Sequence, residues 1–171
     1  MDRTPTTVLL YIAIAGLVFY KVIYSQLRGT LLSVRGLALT PVILLGVGGY
    51  YTLKALPGTS AAEFGLLIAD VVVLTLLGLL RSSSTKLTSH NGYAFQKGSG
   101  VTVALWVLTI GVRVGFVAVG AATGVSGPLT SASIALTLGI SIGAQNALTY
   151  VRARQRDLRM AADKRELADV R

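Results

Sequence analysis

The chain has 171 residues, of which 53% are hydrophobic and 13% are charged, and its mean hydropathy is +0.67. This composition excludes a soluble domain and indicates an integral membrane protein, so the lipid bilayer is its first partner. The net charge is +9, and the basic residues lie at the ends of apolar segments and in the tail, where anionic lipids attract them. This distribution argues against a nucleic-acid partner. Because the chain has no cysteine and one histidine, we predict no metal and no cofactor.

Apolar segments long enough to cross a membrane as helices recur along the chain. They cover residues 8–24, 37–53, 61–80, 101–122 and 132–150. The first is interpreted as a retained span and not as a signal peptide, because only Arg3 precedes it and no small-x-small site follows Tyr24. The sequence therefore predicts an all-α, polytopic membrane protein with a bundle of five transmembrane helices.

The longest internal polar loop lies between the third and fourth spans. It contains Ser89-His90-Asn91-Gly92-Tyr93, and Asn-Gly is the strongest two-residue signal for a hairpin. We therefore predict a short β-hairpin-like loop at the membrane face. Its candidate site residues are Arg81, Lys86, His90 and Lys97. His90 is interpreted as a solvent-exposed turn residue, with a pH-sensing or ligand-binding role as the alternative.

The carboxyl-terminal segment, 151–171, is rich in charge. It begins with Arg152-x-Arg154-x-Arg156 and then mixes signs, a pattern typical of a charged surface helix. We expect its arginines to anchor the last span.

The distribution of basic residues predicts the orientation of the bundle. With the amino terminus outside, the outer segments carry only Arg3 and Lys54, and the inner segments carry the basic residues of the other loops and of the tail. The positive-inside rule therefore predicts an N-out, C-in topology with the hairpin and the tail in the cytoplasm.

Two of the spans each contain a single ionisable residue, Asp70 in the third and Arg113 in the fourth. At a rise of about 1.5 Å per residue, both lie about 15 to 18 Å from the same ends of their helices. Since these spans are antiparallel neighbours, we expect the carboxylate and the guanidinium to meet. Such residues mark functional sites by default, but matched charges also suit a structural salt bridge that selects which helices pack. Both interpretations stay open.

Other polar residues of the spans are weaker candidates. Thr109 precedes Arg113 by one turn and is placed to share its donors, while Gln145 and Asn146 are expected to hydrogen-bond to neighbouring helices. Glu63 is expected in solvent at the outer mouth, and Trp106 is interpreted as an interfacial anchor.

Small residues recur at every fourth position of the fifth span. They are Ser131, Ala135, Gly139, Gly143 and Ala147. This ridge predicts a close helix-packing face.

A pattern of short motifs runs from Gly78 to Arg113. It consists of Gly78-Leu79-Leu80-Arg81, Thr85-Lys86-Leu87, Asn91-Gly92, Gln96-Lys97-Gly98 and Leu105-Trp106 followed by Arg113, with Arg35-Gly36 and Pro41 upstream. With these motifs the chain resembles the CcdC-like family of small bacterial membrane proteins. The resemblance implies a multi-pass protein of the bacterial cytoplasmic (inner) membrane, with an accessory link to cytochrome c maturation. It also implies that the Arg81–Lys97 loop and Arg113 are the positions to test first.

The leading functional hypothesis is a non-enzymatic accessory or scaffold protein. It packs through glycine-rich faces against itself or another membrane protein, and Gly139 and Gly143 are its predicted contact positions. One alternative is a membrane-embedded enzyme acting on a lipid or isoprenoid, with Asp70 as general acid or base and Arg113 holding an anion. The other is a small transporter or proton relay, which requires a polar path through the bundle.

Overall fold

The computed structural model describes residues 28–125, 127–163 and 165–166. Within them, four helices are long and apolar enough to cross a membrane. The helices are α1 (Val34–Ala55), α2 (Ala61–Ser84), α3 (Gly100–Ala122), the short α4 (Pro128–Ala132) and α5 (Ile134–Gln155). The prediction of a helical bundle with several helices of membrane-spanning length is thus confirmed. The predicted span 8–24 lies outside the described residues, so the fifth span stays a prediction, as does the orientation.

Serine side chains cap the starts of α1, α2 and α3. The Ser33, Ser60 and Ser99 side chains each accept a hydrogen bond from the backbone N–H three positions later, which satisfies a donor that the first helical turn leaves open. At the other end, α2 continues to Ser84, beyond its predicted limit at residue 80. The extra turn brings Arg81 into the helix.

The long helices form a row in the order α1, α5, α2, α3. Helix α5 packs against α1 on one side and α2 on the other, and α3 packs against α2. The small-residue ridge of α5 faces α1, since a Cβ atom at Gly139 would lie 3.0 Å from the Leu44 Cβ atom and one at Gly143 would lie 3.5 Å from the Pro41 Cβ atom. The ridge is a packing face, as predicted, but its partner at these positions is a helix of the same chain.

A second ridge of α5 faces α2 and is polar. Its members recur every fourth residue and are buried: Ser133, Thr137, Ser141, Gln145 and Thr149. Opposite them, α2 buries Asp70, Arg81 and Ser82, and Gly78 lets the backbones approach so closely that an added Cβ atom would overlap the Ser141 carbonyl oxygen. The outward positions carry large apolar side chains, such as Leu39, Ile43 and Val114. Polar residues thus lie inside the bundle and apolar residues outside it, the reverse of a soluble protein. This arrangement suits a lipid environment, in which close contacts and interhelical hydrogen bonds join the helices.

One end of the bundle carries a three-stranded antiparallel sheet in the order β1 (Thr30–Leu31), β3 (Tyr93–Lys97) and β2 (Lys86–His90). The β2–β3 connection is the predicted hairpin, because Asn91 and Gly92 both have positive φ angles, of 52° and 80°. Strand β1 was not predicted. Below the sheet, Leu32, Leu87, Ala94 and Ala153 form a small apolar core.

The described tail differs from the predicted surface helix. Helix α5 ends at Gln155, and residues 156–163 run without helical structure across the sheet and the start of α1. Backbone hydrogen bonds hold this segment: the Ala94 N–H donates to the Arg159 carbonyl (2.6 Å), and the Val34 N–H donates to the Ala161 carbonyl (2.9 Å). These long-range bonds replace the local hydrogen bonds that a helix would make.

Candidate functional site

Asp70 and Arg113 form an ion pair inside the bundle, as their matched depths predict. The Asp70 side chain is 2% exposed and that of Arg113 is 13% exposed. Arg113 Nη1 donates to the carboxylate, and Nη2 donates to the backbone carbonyl of Thr130 at 2.8 Å. Through Arg113, the pair links α3 both to α2 and to α4.

A small cavity lies beside the pair. It has a volume of about 10 Å³ and is lined by Asp70, Arg113, Glu63, Thr130 and neighbouring apolar side chains. Among the described residues, neither Asp70 Oδ1 nor Arg113 Nε has a hydrogen-bond partner. The cavity has room for about one water molecule.

Glu63 belongs to the same cluster, although it was predicted to lie in solvent. It is 5% exposed, and its Oε1 atom accepts hydrogen bonds from the Thr130 N–H (3.1 Å) and hydroxyl (3.3 Å). Sequence reasoning missed this contact because Glu63 lies at the outer mouth of its span, where solvent is expected, and its partner Thr130 is 67 residues away in the chain. A Cβ atom at Gly127 would lie 2.5 Å from a carboxylate oxygen of Glu63, so the glycine leaves room for this contact.

Arg81 was predicted to belong to the cytoplasmic loop, and this placement was wrong. It lies in the last turn of α2 and is fully buried, because the helix extends to Ser84. Its Nη2 atom donates to the Ser141 hydroxyl (2.7 Å), and its guanidinium lies 4.0 Å from the centre of the Trp106 ring. Trp106 is therefore a cation–π partner in addition to its predicted role at the interface. Within the described chain, Arg81 Nε and Nη1 have no hydrogen-bond partner.

The other predicted residues of the spans do not join the pair. The Thr109 hydroxyl donates to the Leu105 carbonyl of its own helix (2.7 Å), whereas Asn146 Nδ2 donates to the Leu37 carbonyl (2.7 Å) and links α5 to α1, as predicted. Gln145 is buried, and its Oε1 atom has no partner among the described residues.

The hairpin residues lie on the sheet, away from the pair. Lys86, His90 and Lys97 are exposed, and the His90 ring lies 5.5 Å from that of Phe95. The described residues contain no cluster of three or more histidine and acidic side chains that could hold a metal ion.

Arginines of the last helix and tail complete the carboxyl end of α2. Arg152 donates to the carbonyls of Ser82 and Thr85, and Arg156 donates to that of Leu87 (3.1 Å). Carbonyls near a helix end lack intrahelical partners, and Arg152 supplies donors to two of them, whereas the Leu87 carbonyl bound by Arg156 belongs to β2. Their observed contacts are therefore with the protein backbone, in addition to the predicted anchoring at the membrane.

The chemistry available at the pair is that of a carboxylate held by a guanidinium in an enclosed space. Comparison of the chain with protein-family models, curated proteins and solved structures finds no match. Its function is therefore inferred from its own residues and their geometry.

Proposed function

We propose that the protein is a non-enzymatic accessory or scaffold component of a membrane, and that the Asp70–Arg113 pair is a structural tie within it. The observation that carries this proposal is the position of Arg113 on α3. One of its terminal nitrogens donates to Asp70 on α2, and the other donates to the Thr130 carbonyl on α4. A residue used in this way fixes which helices are neighbours.

The cavity beside the pair gives little support to catalysis on a lipid or isoprenoid. Sites for ligands of that size occupy about 300 to 1,000 Å³, whereas this cavity measures about 10 Å³. Asp70 as a general acid or base would have no room for such a substrate next to it.

The hydroxyls of the α2–α5 contact also favour packing over a proton relay. Thr137, Ser141 and Thr149 each donate to a backbone carbonyl, so their protons are engaged by the helix framework. A relay needs hydroxyls that hand protons to one another. In the described part of this contact, Ser82 and Thr149 form one hydroxyl pair, at 2.8 Å, but Thr149 donates its own hydrogen to the Gln145 carbonyl, so the pair leads to no further hydroxyl.

A scaffold needs a surface for its partner, and α3 offers one. The side of α3 opposite α2 carries Ala104, Gly111, Gly115 and Ala118, all exposed. A Cβ atom at Gly111 or Gly115 would contact nothing within 4 Å among the described residues. Two such faces fit each other by twofold symmetry, so the proposed occupant is α3 of a second copy of the chain.

The distribution of basic residues and the family resemblance support the proposed orientation and membrane location. Arg35, Lys86, Lys97 and Arg154 lie at the sheet end of the bundle, and Lys54 lies at the end of α1 that is farthest from the sheet. This asymmetry supports a cytoplasmic sheet and tail, with residues 8–24 as a fifth span. The resemblance to CcdC-like proteins supports an accessory role in the bacterial cytoplasmic membrane.

The test compares folding and self-association in lipid bilayers by fluorescence energy transfer between labelled copies. Exchanging the charges, Asp70→Arg with Arg113→Asp, is expected to retain folding and self-association, since a tie works in either direction. The double change Gly111→Leu/Gly115→Leu is expected to retain folding and lose energy transfer. The matched control is Gly65→Leu, because Gly65 is equally open but lies on α2.

Two results would contradict the proposal. Loss of self-association in the charge-exchanged protein, with the fold intact, would show that the pair does more than join helices. Equal energy transfer in the Gly111/Gly115 variant and the Gly65 control would remove α3 as the partner surface.

A further inference from the structure

Another cavity lies at the sheet end of the bundle, away from the Asp70–Arg113 cluster. It measures about 400 Å³ and lies between the start of α1, the end of α5 and the tail. Its apolar wall includes Val34, Leu158 and Met160, and its polar wall includes Arg154 and Arg159. A cavity with one apolar side and two guanidiniums suits an amphipathic anion.

The two arginines differ in how far they are engaged. Arg154 lies 5.6 Å from the centre of the Tyr150 ring and forms no ion pair with any described residue. Arg159 lies 3.3 Å from Glu166, and its side chain is 71% exposed. Arg154 therefore supplies the less compensated charge, and Arg159 supplies a second donor group on the same cavity.

The position of the cavity along the bundle identifies the kind of anion. Arg154 lies in the last turn of α5, a helix long and apolar enough to cross a membrane, so it lies at headgroup depth. Tyr150 lies one turn deeper, as expected for a residue at the boundary between apolar chains and headgroups.

From this arrangement we infer that the cavity binds the phosphate of an anionic phospholipid. Arg154 and Arg159 hold the phosphodiester, and Val34, Leu158 and Met160 contact the glycerol and the first carbons of the acyl chains. This site is independent of the partner surface proposed on α3.

Asp157 gives the inference a second, opposite test. It lines the same cavity, so its carboxylate repels a phosphate there. Its φ angle of 51° is left-handed, a conformation that asparagine also tolerates. The change Asp157→Asn therefore removes the repulsion and keeps the backbone, and it is expected to strengthen binding.

The experiment measures phospholipid retention by the full chain with native mass spectrometry, using phosphatidylglycerol and phosphatidylcholine at equal concentration. Arg154→Gln/Arg159→Gln is expected to lower phosphatidylglycerol retention about thirtyfold, since each of the two cations near a lipid surface contributes about 1 kcal/mol. The matched control, Lys86→Gln/Lys97→Gln, removes the same charge from the exposed hairpin and is expected to leave retention nearly unchanged. Arg154→Gln alone guards against loosening of the tail through the Arg159–Glu166 contact.

Each outcome decides the inference. A smaller retention in the arginine variants, together with a larger one in Asp157→Asn, supports the site. An equal loss in the lysine control, or equal retention of the two lipids by the unmodified chain, would overturn it. Displacement of the lipid by millimolar inorganic phosphate would assign the cavity to free phosphate instead and would also overturn it.

Discussion

Arg113 and Arg81 both lie largely inside the bundle, but their guanidinium groups meet different partners. Arg113 binds the Asp70 carboxylate and a backbone carbonyl near the middle of the spans. Arg81 lies at the end of α2, where it binds the Ser141 hydroxyl and stacks on Trp106. Among the described residues, no carboxylate forms an ion pair with Arg81.

The difference reflects the cost of a charge at each depth. Near the centre of a bilayer an arginine costs about 2.5 to 3.5 kcal/mol on insertion scales, and the cost falls toward the interface. A mid-span guanidinium therefore needs a countercharge, whereas one near the end of a span is tolerated with a hydroxyl and an aromatic ring. The same substitution at the two positions tests this interpretation.

Arg113→Met is expected to have the larger effect. It leaves Asp70 buried without its cation, and removing one partner of a buried pair costs about 3 to 5 kcal/mol. The loss is measured as the free energy of unfolding in bicelles. The double change Asp70→Asn/Arg113→Met is expected to recover most of it, because no orphaned charge remains. If the double variant is as unstable as the single one, the pair does not act as a tie.

Arg81→Met is expected to cost less, about 1 to 2 kcal/mol. It removes one hydrogen bond and one cation–π contact but leaves no buried carboxylate without its countercharge. Ser141 keeps its hydrogen bond to the Leu74 carbonyl (2.6 Å). Arg81→Lys is the informative companion, since it keeps the charge and loses the planar stacking group. A loss for Arg81→Met equal to that for Arg113→Met would contradict the depth argument.

The contact between Asp70 and Arg113 was predictable from sequence because it depends only on the position of each residue along its own helix. Residue counts and the helical rise gave the depths of Asp70 and Arg113, and helix order made the two spans neighbours. The hairpin was predictable for a similar reason, since Asn91-Gly92 determines its own local geometry.

The burial of Arg81 and Glu63 was not predictable in this way. An arginine near the end of an apolar segment matches a membrane anchor, and only the full length of α2 and its contact with Ser141 reveal the buried position. Glu63 depends on Thr130, which is 67 residues away in the chain. Contacts of this kind depend on how helices pack, and local patterns do not record them.

The tail carries a different kind of ion pair, Arg159–Glu166, which is largely exposed and lies 3.3 Å apart. Exposed pairs contribute little to global stability, so the expected effect is local to the tail. Glu166 also accepts hydrogen bonds from the Ala162 N–H and the Tyr93 hydroxyl, both at 2.9 Å. Together these contacts hold residues of the tail against β3.

Acidification is expected to release this contact. The Ala162 N–H, with the Tyr93 hydroxyl, lowers the pKa of Glu166 below its usual value of 4.5. Because the folded pKa is the lower one, the contact is fully present above the unfolded value and is lost as pH falls through the folded value. Hydrogen exchange of the Ala162 amide, corrected for the intrinsic rate, should therefore accelerate below about pH 4.5. Glu166→Gln should abolish this pH dependence, and an unchanged dependence in that variant would assign it to another group.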